Sequence, residues 1–279
     1  MNNQEKQVIV RELERLVQFS SQNKVATRLR ISTATISQMI NNNWDLINDS
    51  MWRRTKVNMK LDLNWRIVPT ENYKKFMSVL QTTQQRGFSI AISETAGLGK
   101  SEAFKQYTKS YKNVIHIECS KRWKKKTFVK HLCITAGLDS NGTEEQMIER
   151  FLDHTKGLQS PLIILDQVNM LKNSAFDLFV DMYNDMFGHC AFVLSGVKAL
   201  KKIILSGFQN QKDGYEELWS RIGRKFYEGL HITSKKDVML ICKGNGVTDE
   251  ETISFIFNTC EGDLRSVRRQ VEKAQLLSA

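Results

Sequence analysis

The feature that most constrains this fold is a rhythm: compact, mainly apolar runs separated by longer helical stretches. The runs are 88–93, 114–118, 162–165 and 191–195, with a fifth candidate at 226–230. Runs of this length without polar alternation are strands buried on both faces, and the helices between them provide parallel crossovers. The expected fold class is therefore α/β, a parallel sheet flanked by helices. After about residue 234 only helical patterns occur, which predicts a small helical lid.

A loop of restricted chemistry follows the first run. Residues 93–101 read Ser-Glu-Thr-Ala-Gly-Leu-Gly-Lys-Ser and lead into a helix expected over 102–111. A glycine-rich turn between a strand and a helix start aims backbone N–H groups at an anion, and the helix dipole favours the charge. The residues expected to line the phosphates are Thr95, Ala96, Gly97, Leu98, Gly99, Lys100, Ser101 and Glu102. Lys100 would reach the terminal phosphates and Ser101 would ligate Mg²⁺. ATP and Mg²⁺ are the expected cofactors. The phosphate-loop pattern asks for glycine where Glu94 stands.

Asp166 ends the third run, 66 residues after Lys100, where an acid can hold the Mg²⁺ shell. The next residue is Gln167, where enzymes of this kind carry a water-activating glutamate. Glutamine can orient water but is a poor base. Either hydrolysis is slow or absent, or a Glu→Gln change traps the ATP state. Arg221, with Arg224 as second choice, could reach a neighbouring subunit's nucleotide from Ser220-Arg221-Ile222-Gly223-Arg224. Arg265, in Gly262-Asp263-Leu264-Arg265, could cover the nucleotide of its own subunit, and Ser195 could sense the terminal phosphate. For both arginine segments the alternative is an ordinary solvated charge.

The chain divides by pattern and charge. Of 279 residues, 41 are Lys or Arg and 30 are Asp or Glu, for a net charge of +11. Residues 1–66 and 67–230 carry the excess, while 231–279 are neutral. This favours a polyanion partner, most simply DNA or RNA. Pro69 marks a boundary, giving expected domains 1–66, 67–230 and 231–279. The five cysteines are scattered and form no Cys-x-x-Cys pair, so they read as buried thiols. No run is long enough for a membrane span and the first residues lack a signal's apolar core, so the expected location is the cytoplasm.

Residues 22–41 space Val25, Leu29, Ile31, Ile36 and Met39 as a helix-turn-helix does, with helices expected at 23–30 and 33–40 and Ser32 as N-cap. Arg30 falls at the turn position that favours glycine. Thr33, Thr35 and Gln38 could face a DNA groove, and Lys24, Arg28, Arg53 and Arg54 could hold phosphates. A protein-interaction domain is the other reading. A basic stretch, Lys121-Arg122-Trp123-Lys124-Lys125-Lys126, could also bind nucleic acid or be a solvated helix start.

Taken in order, Gly97–Ser101, Ile163–Gln167, Ser220–Arg224 and Gly262–Arg265 resemble the AAA+ ATPases over roughly residues 70–279. With the λ-repressor-like N-terminal pattern, the chain is similar to transposition ATPases of the phage Mu B-protein type, related to the TnsC regulators. The resemblance implies a homo-oligomer, ring or helical filament, that assembles on double-stranded DNA with little sequence preference and delivers target DNA to a transposase. Helicase loaders, replication initiators and ATP-sensing DNA-binding regulators share the same core and remain alternatives.

Overall fold

The computed structural model describes residues 1–228 and 230–278. It forms two compact units, residues 1–64 with 125–154, and residues 65–124 with 155–279.

The first unit begins with α1 (Asn3–Phe19), α2 (Gln22–Leu29), α3 (Thr33–Ile40) and α4 (Asp49–Asn58). Their apolar faces close around Ile9, Leu13, Ile36, Met39 and Trp52, all fully buried. The helices are bounded by their own side chains. Asn2, Ser21, Ser32 and Asn48 each accept a hydrogen bond from a backbone N–H of the first turn. The turn between α2 and α3 falls at Arg30, whose φ of +53° is left-handed. The second helix and its Ser32 cap are those the spacing predicts, and α2 begins one residue earlier.

The second unit carries α5 (Glu71–Arg86), β1 (Ile90–Ser93), α6 (Lys100–Ser110) and β2 (Val114–Glu118). The chain then passes through α7 (Lys125–Ala136) and most of α8 (Glu144–Lys156) in the first unit. There α7 packs on α2, and Gly137 lies so close that a Cβ would come within 2.7 Å of Lys24 Cβ.

Back in the second unit follow β3 (Leu162–Asp166), α9 (Asn173–Asp185), β4 (Ala191–Gly196), α10 (Ala199–Gln209) and α11 (Tyr215–Arg221). The four strands are parallel in the order β1-β4-β3-β2. Every residue of β3 and β4 is buried, as two-sided helix cover requires. Leu162, Ile164, Ala191 and Val193 face Phe76, Phe104 and Tyr107 of α5 and α6. Phe192 meets Phe179 and Tyr183 of α9, with ring centroids 5.9 and 4.7 Å apart.

The sequence rhythm needs two corrections. The first strand starts at Ile90 rather than residue 88. Residues 226–230 do not form a strand among the described residues, and Gly229 lies outside them. Tyr227 N donates to Ala91 O at 2.7 Å.

The lid is α12 (Lys235–Gly244), α13 (Glu250–Thr259) and α14 (Leu264–Ser278), closed over Val238, Ile241, Cys242, Ile256 and Val267. The segment before α5 is tied to this lid. Arg66 N donates to Asn245 Oδ1 at 2.8 Å, and Asn245 Nδ2 donates back to Arg66 O at 3.1 Å. Glu71 N donates to Asp237 Oδ1 at 2.8 Å. The five cysteines are free and buried. Among the described residues no helix is long and apolar enough to cross a membrane.

Candidate nucleotide site

The carboxyl ends of β2, β3 and β4 and the loop after β1 open into a cavity of about 590 Å³. Its floor is the loop between β1 and α6. Gly97 and Gly99 take φ of +86° and +84°, which lets the chain fold back over the helix start. Glu94 lies before this turn, outside the left-handed residues, and its N–H still pairs with Gly196 O at 3.2 Å. The backbone therefore makes no demand for glycine at position 94, and the Glu94 side chain does not line the cavity.

Helix α6 starts without a side-chain cap, because Gly99 occupies the N-cap. Its first N–H groups need an acceptor from elsewhere. Lys100 is buried beside them, its Nζ donating to the carbonyls of Thr95 at 2.6 Å and Glu94 at 3.2 Å. Burial depresses its pKa, and the Asp166 and Glu94 carboxylates partly offset that. An ammonium held by carbonyl oxygens beside uncapped N–H groups is a receptor that an oligophosphate would complete.

Ser101 and Asp166 meet across the cavity. Ser101 Oγ donates to Asp166 Oδ2 at 2.5 Å. Asp166 is 1% exposed, and burial raises its pKa against the lowering effect of its hydrogen bonds. A hydroxyl and a carboxylate so placed are the donor set that would hold Mg²⁺, which neutralises phosphate-oxygen charge when bound. Ser195, next to the end of β4, is fully buried beside Asp166, whose pKa its hydroxyl lowers, and it lies outside the residues that line the cavity. Gln167 follows with a left-handed backbone, φ +55°, and its N–H donates to Asp166 Oδ1 at 2.9 Å. Strain in a non-glycine residue at a strand end is the kind that collects at functional sites.

The lid closes on the loop. Leu264 N donates to Gly97 O at 3.0 Å, and a Cβ on Gly97 would lie 2.3 Å from Asp263 Oδ1. Arg265 lines the cavity beside Lys100.

Of the expected residues, the cavity gathers Ala96, Gly97, Leu98, Gly99, Lys100, Ser101, Glu102, Asp166, Gln167 and Arg265. Thr95 contributes its carbonyl from outside the lining. Arg221 and Arg224 lie elsewhere. Arg221 hydrogen-bonds Asn184 Oδ1 and stacks on Phe187, 4.3 Å from the ring centroid. Arg224 is exposed on a left-handed turn.

Several lining residues escaped sequence reading: Trp65, Tyr73, Glu118, Asn169 and Arg268. Arg268 sits 5.0 Å over the Trp65 ring. Only Glu118 carried a usable signal, an acid ending an apolar strand as Asp166 does.

The candidate nucleic-acid residues are distributed differently. Thr33 is exposed, while Thr35 and Gln38 are half-buried, with Thr35 Oγ1 2.8 Å from Ser32 Oγ. Lys121, Arg122, Lys124, Lys125 and Lys126 are all exposed, and α7 begins at Lys125. Arg53 and Arg54 are exposed too. Arg28 is half-buried. Burial lowers the pKa of its guanidinium, and Nε is buried with no hydrogen-bond partner.

Residues 83–204 match the family model of the AAA domain, which indicates an AAA-type P-loop ATPase. No curated protein matches the chain. A P-loop domain of this class implies nucleotide binding, typically with Mg²⁺.

Proposed function

We propose that this AAA-type P-loop ATPase is an ATP-dependent DNA-binding protein that assembles on double-stranded DNA and delivers target DNA to a transposase. The observation that carries the nucleotide half is the convergence of Lys100, Ser101 and Asp166 beside an uncapped helix start. Two features support the DNA half. The chain carries a net charge of +11, and the run Lys121 to Lys126 presents five exposed cations. The α2–α3 pair with exposed Thr33 supports a helix-turn-helix reading of the N-terminal helices.

In this reading Lys100 and the loop N–H groups hold the phosphates. Ser101 and Asp166 hold Mg²⁺, and Arg265 covers the nucleotide from the lid. Arg221, stacked on half-exposed Phe187, serves a neighbouring copy's nucleotide, so that ATP orders a ring or filament.

The test is binding of a random-sequence fluorescent duplex with ATP, with ADP and without nucleotide, across a salt series. Cooperative, sequence-neutral binding that needs ATP is expected. Tight binding to selected sequences irrespective of nucleotide would overturn it and favour an ATP-sensing regulator, the reading that Gln167 otherwise supports. Recovery of a replicative helicase rather than a transposase on pull-down would favour a helicase loader.

A further inference from the structure

Besides Glu102 and Asp166, the cavity holds a carboxylate that its expected chemistry does not use. Glu118 ends β2 and pairs in register with Asp166 of β3. Register partners in a parallel sheet point their side chains to the same face. Both therefore emerge at the carboxyl edge where the cavity opens, and both line it. A Glu118 carboxylate oxygen, an Asp166 carboxylate oxygen and a His116 ring nitrogen all lie within 4.8 Å of one another. Lys105, one helical turn beyond Ser101 on α6, holds Glu118 Oε1 at 3.4 Å and so fixes the carboxylate against the nucleotide-binding helix.

Position 167 cannot perform the proton transfer, because an amide has no useful basicity at neutral pH. Its backbone is also committed, with N–H bound to Asp166 and φ at +55°. A carboxylate one strand away can serve the same water.

We propose that Glu118 is the catalytic base for hydrolysis and that Gln167 only orients the attacking water. The inference rests on the nucleotide-hydrolysis reading above. The water oxygen forms a bond to the γ-phosphorus as the bond from that phosphorus to the bridging oxygen breaks. ADP leaves with that electron pair, and the Glu118 carboxylate accepts the water proton before releasing it to solvent.

The experiment uses the full-length chain with Mg²⁺ in four forms: wild type, E118Q, Q167E and E118Q/Q167E. Binding of a fluorescent ATP analogue and phosphate release are measured in parallel, with thermal melts to verify folding. E118Q is expected to bind the analogue within about twofold of wild type and to release phosphate about 100-fold more slowly. E118Q/Q167E is expected to regain at least about tenfold, because it restores a carboxylate to the cavity, a rescue that a purely structural role for Glu118 would not produce.

Hydrolysis by E118Q within about twofold of wild type would overturn the assignment while leaving the ATPase reading intact. A double variant no faster than E118Q would overturn it as well, as would analogue binding by wild type without phosphate release. Failure of wild type to bind the analogue would instead sink the nucleotide reading from which the inference starts.

Discussion

Helices α3 and α6 both begin after a left-handed turn, and they begin in opposite ways. Helix α3 follows Arg30 and is closed by Ser32, whose Oγ accepts from Thr35 N at 3.0 Å. Helix α6 follows Gly97 and Gly99 and is left open, with no side chain over its first N–H groups. The first start is satisfied from within, so changing it alters stability. The second is left without a side-chain cap, and what sets it apart is a buried lysine and a buried aspartate beside it. The difference teaches where to look for function. Unmet donors and desolvated charges cost stability and persist where a ligand relieves them.

That contrast can be broken by substitution. The largest effect is expected from Lys100→Ala, which removes the ammonium aimed at the phosphates. ATP affinity should fall about 100-fold, or about 3 kcal/mol, as measured by titration with a fluorescent analogue. Affinity unchanged within twofold would mean the open helix start is not the phosphate site. Gly97→Ala comes next. It forces a Cβ into left-handed backbone and against Asp263, so affinity should drop about tenfold. Asp263→Ala in the same chain should recover part of the loss, and no recovery would show that the lid contact is irrelevant.

Asp166→Asn should raise stability by about 1 kcal/mol without nucleotide, because it removes a charge that burial disfavours. The sign follows from linkage. A carboxyl whose folded pKa is raised weakens folding once pH climbs above its unfolded value, and the cost is complete above the folded value. The gain should therefore be present at pH 7 and vanish below the ordinary carboxylate range, which thermal melts at both pH values would reveal. A variant less stable at pH 7 would contradict it.

Two smaller effects concern the closed start. Ser32→Ala should cost about 1 kcal/mol in chemical denaturation and leave nucleotide affinity untouched. Arg30→Gly should stabilise by about 0.5 kcal/mol, since glycine adopts the left-handed turn without strain but loses more entropy on folding. A loss of stability there would mean that Arg30 makes a contact outweighing its backbone cost.

Much of the site was legible in the chain because its parts are local. Gly97 to Ser101 are contiguous, and their backbone and helix-start chemistry follows from residue type. The same holds for Ser32 and Arg30, whose cap and left-handed φ are decided within one turn. Residues 226–230 misled because an apolar run states burial but not pairing. Tyr227 donates to Ala91 O, but the described residues there form no strand. Arg28 shows the opposite limit, since residue type does not reveal that Nε of a cation on a short helix is buried.

The sequence by itself determined the layered α/β class, the phosphate loop and the helix pair joined at Arg30 with its Ser32 cap, because periodicity, glycine and capping residues act over a few positions. Only the tertiary structure decided that Glu118 stands beside Asp166, that Asp263 presses on Gly97, and that Asn245 ties the chain near Arg66 to the lid. Those pairs are separated by 48, 166 and 179 residues. Parallel register and lid docking set such distances through packing over the whole domain, and no local pattern in the chain encodes them.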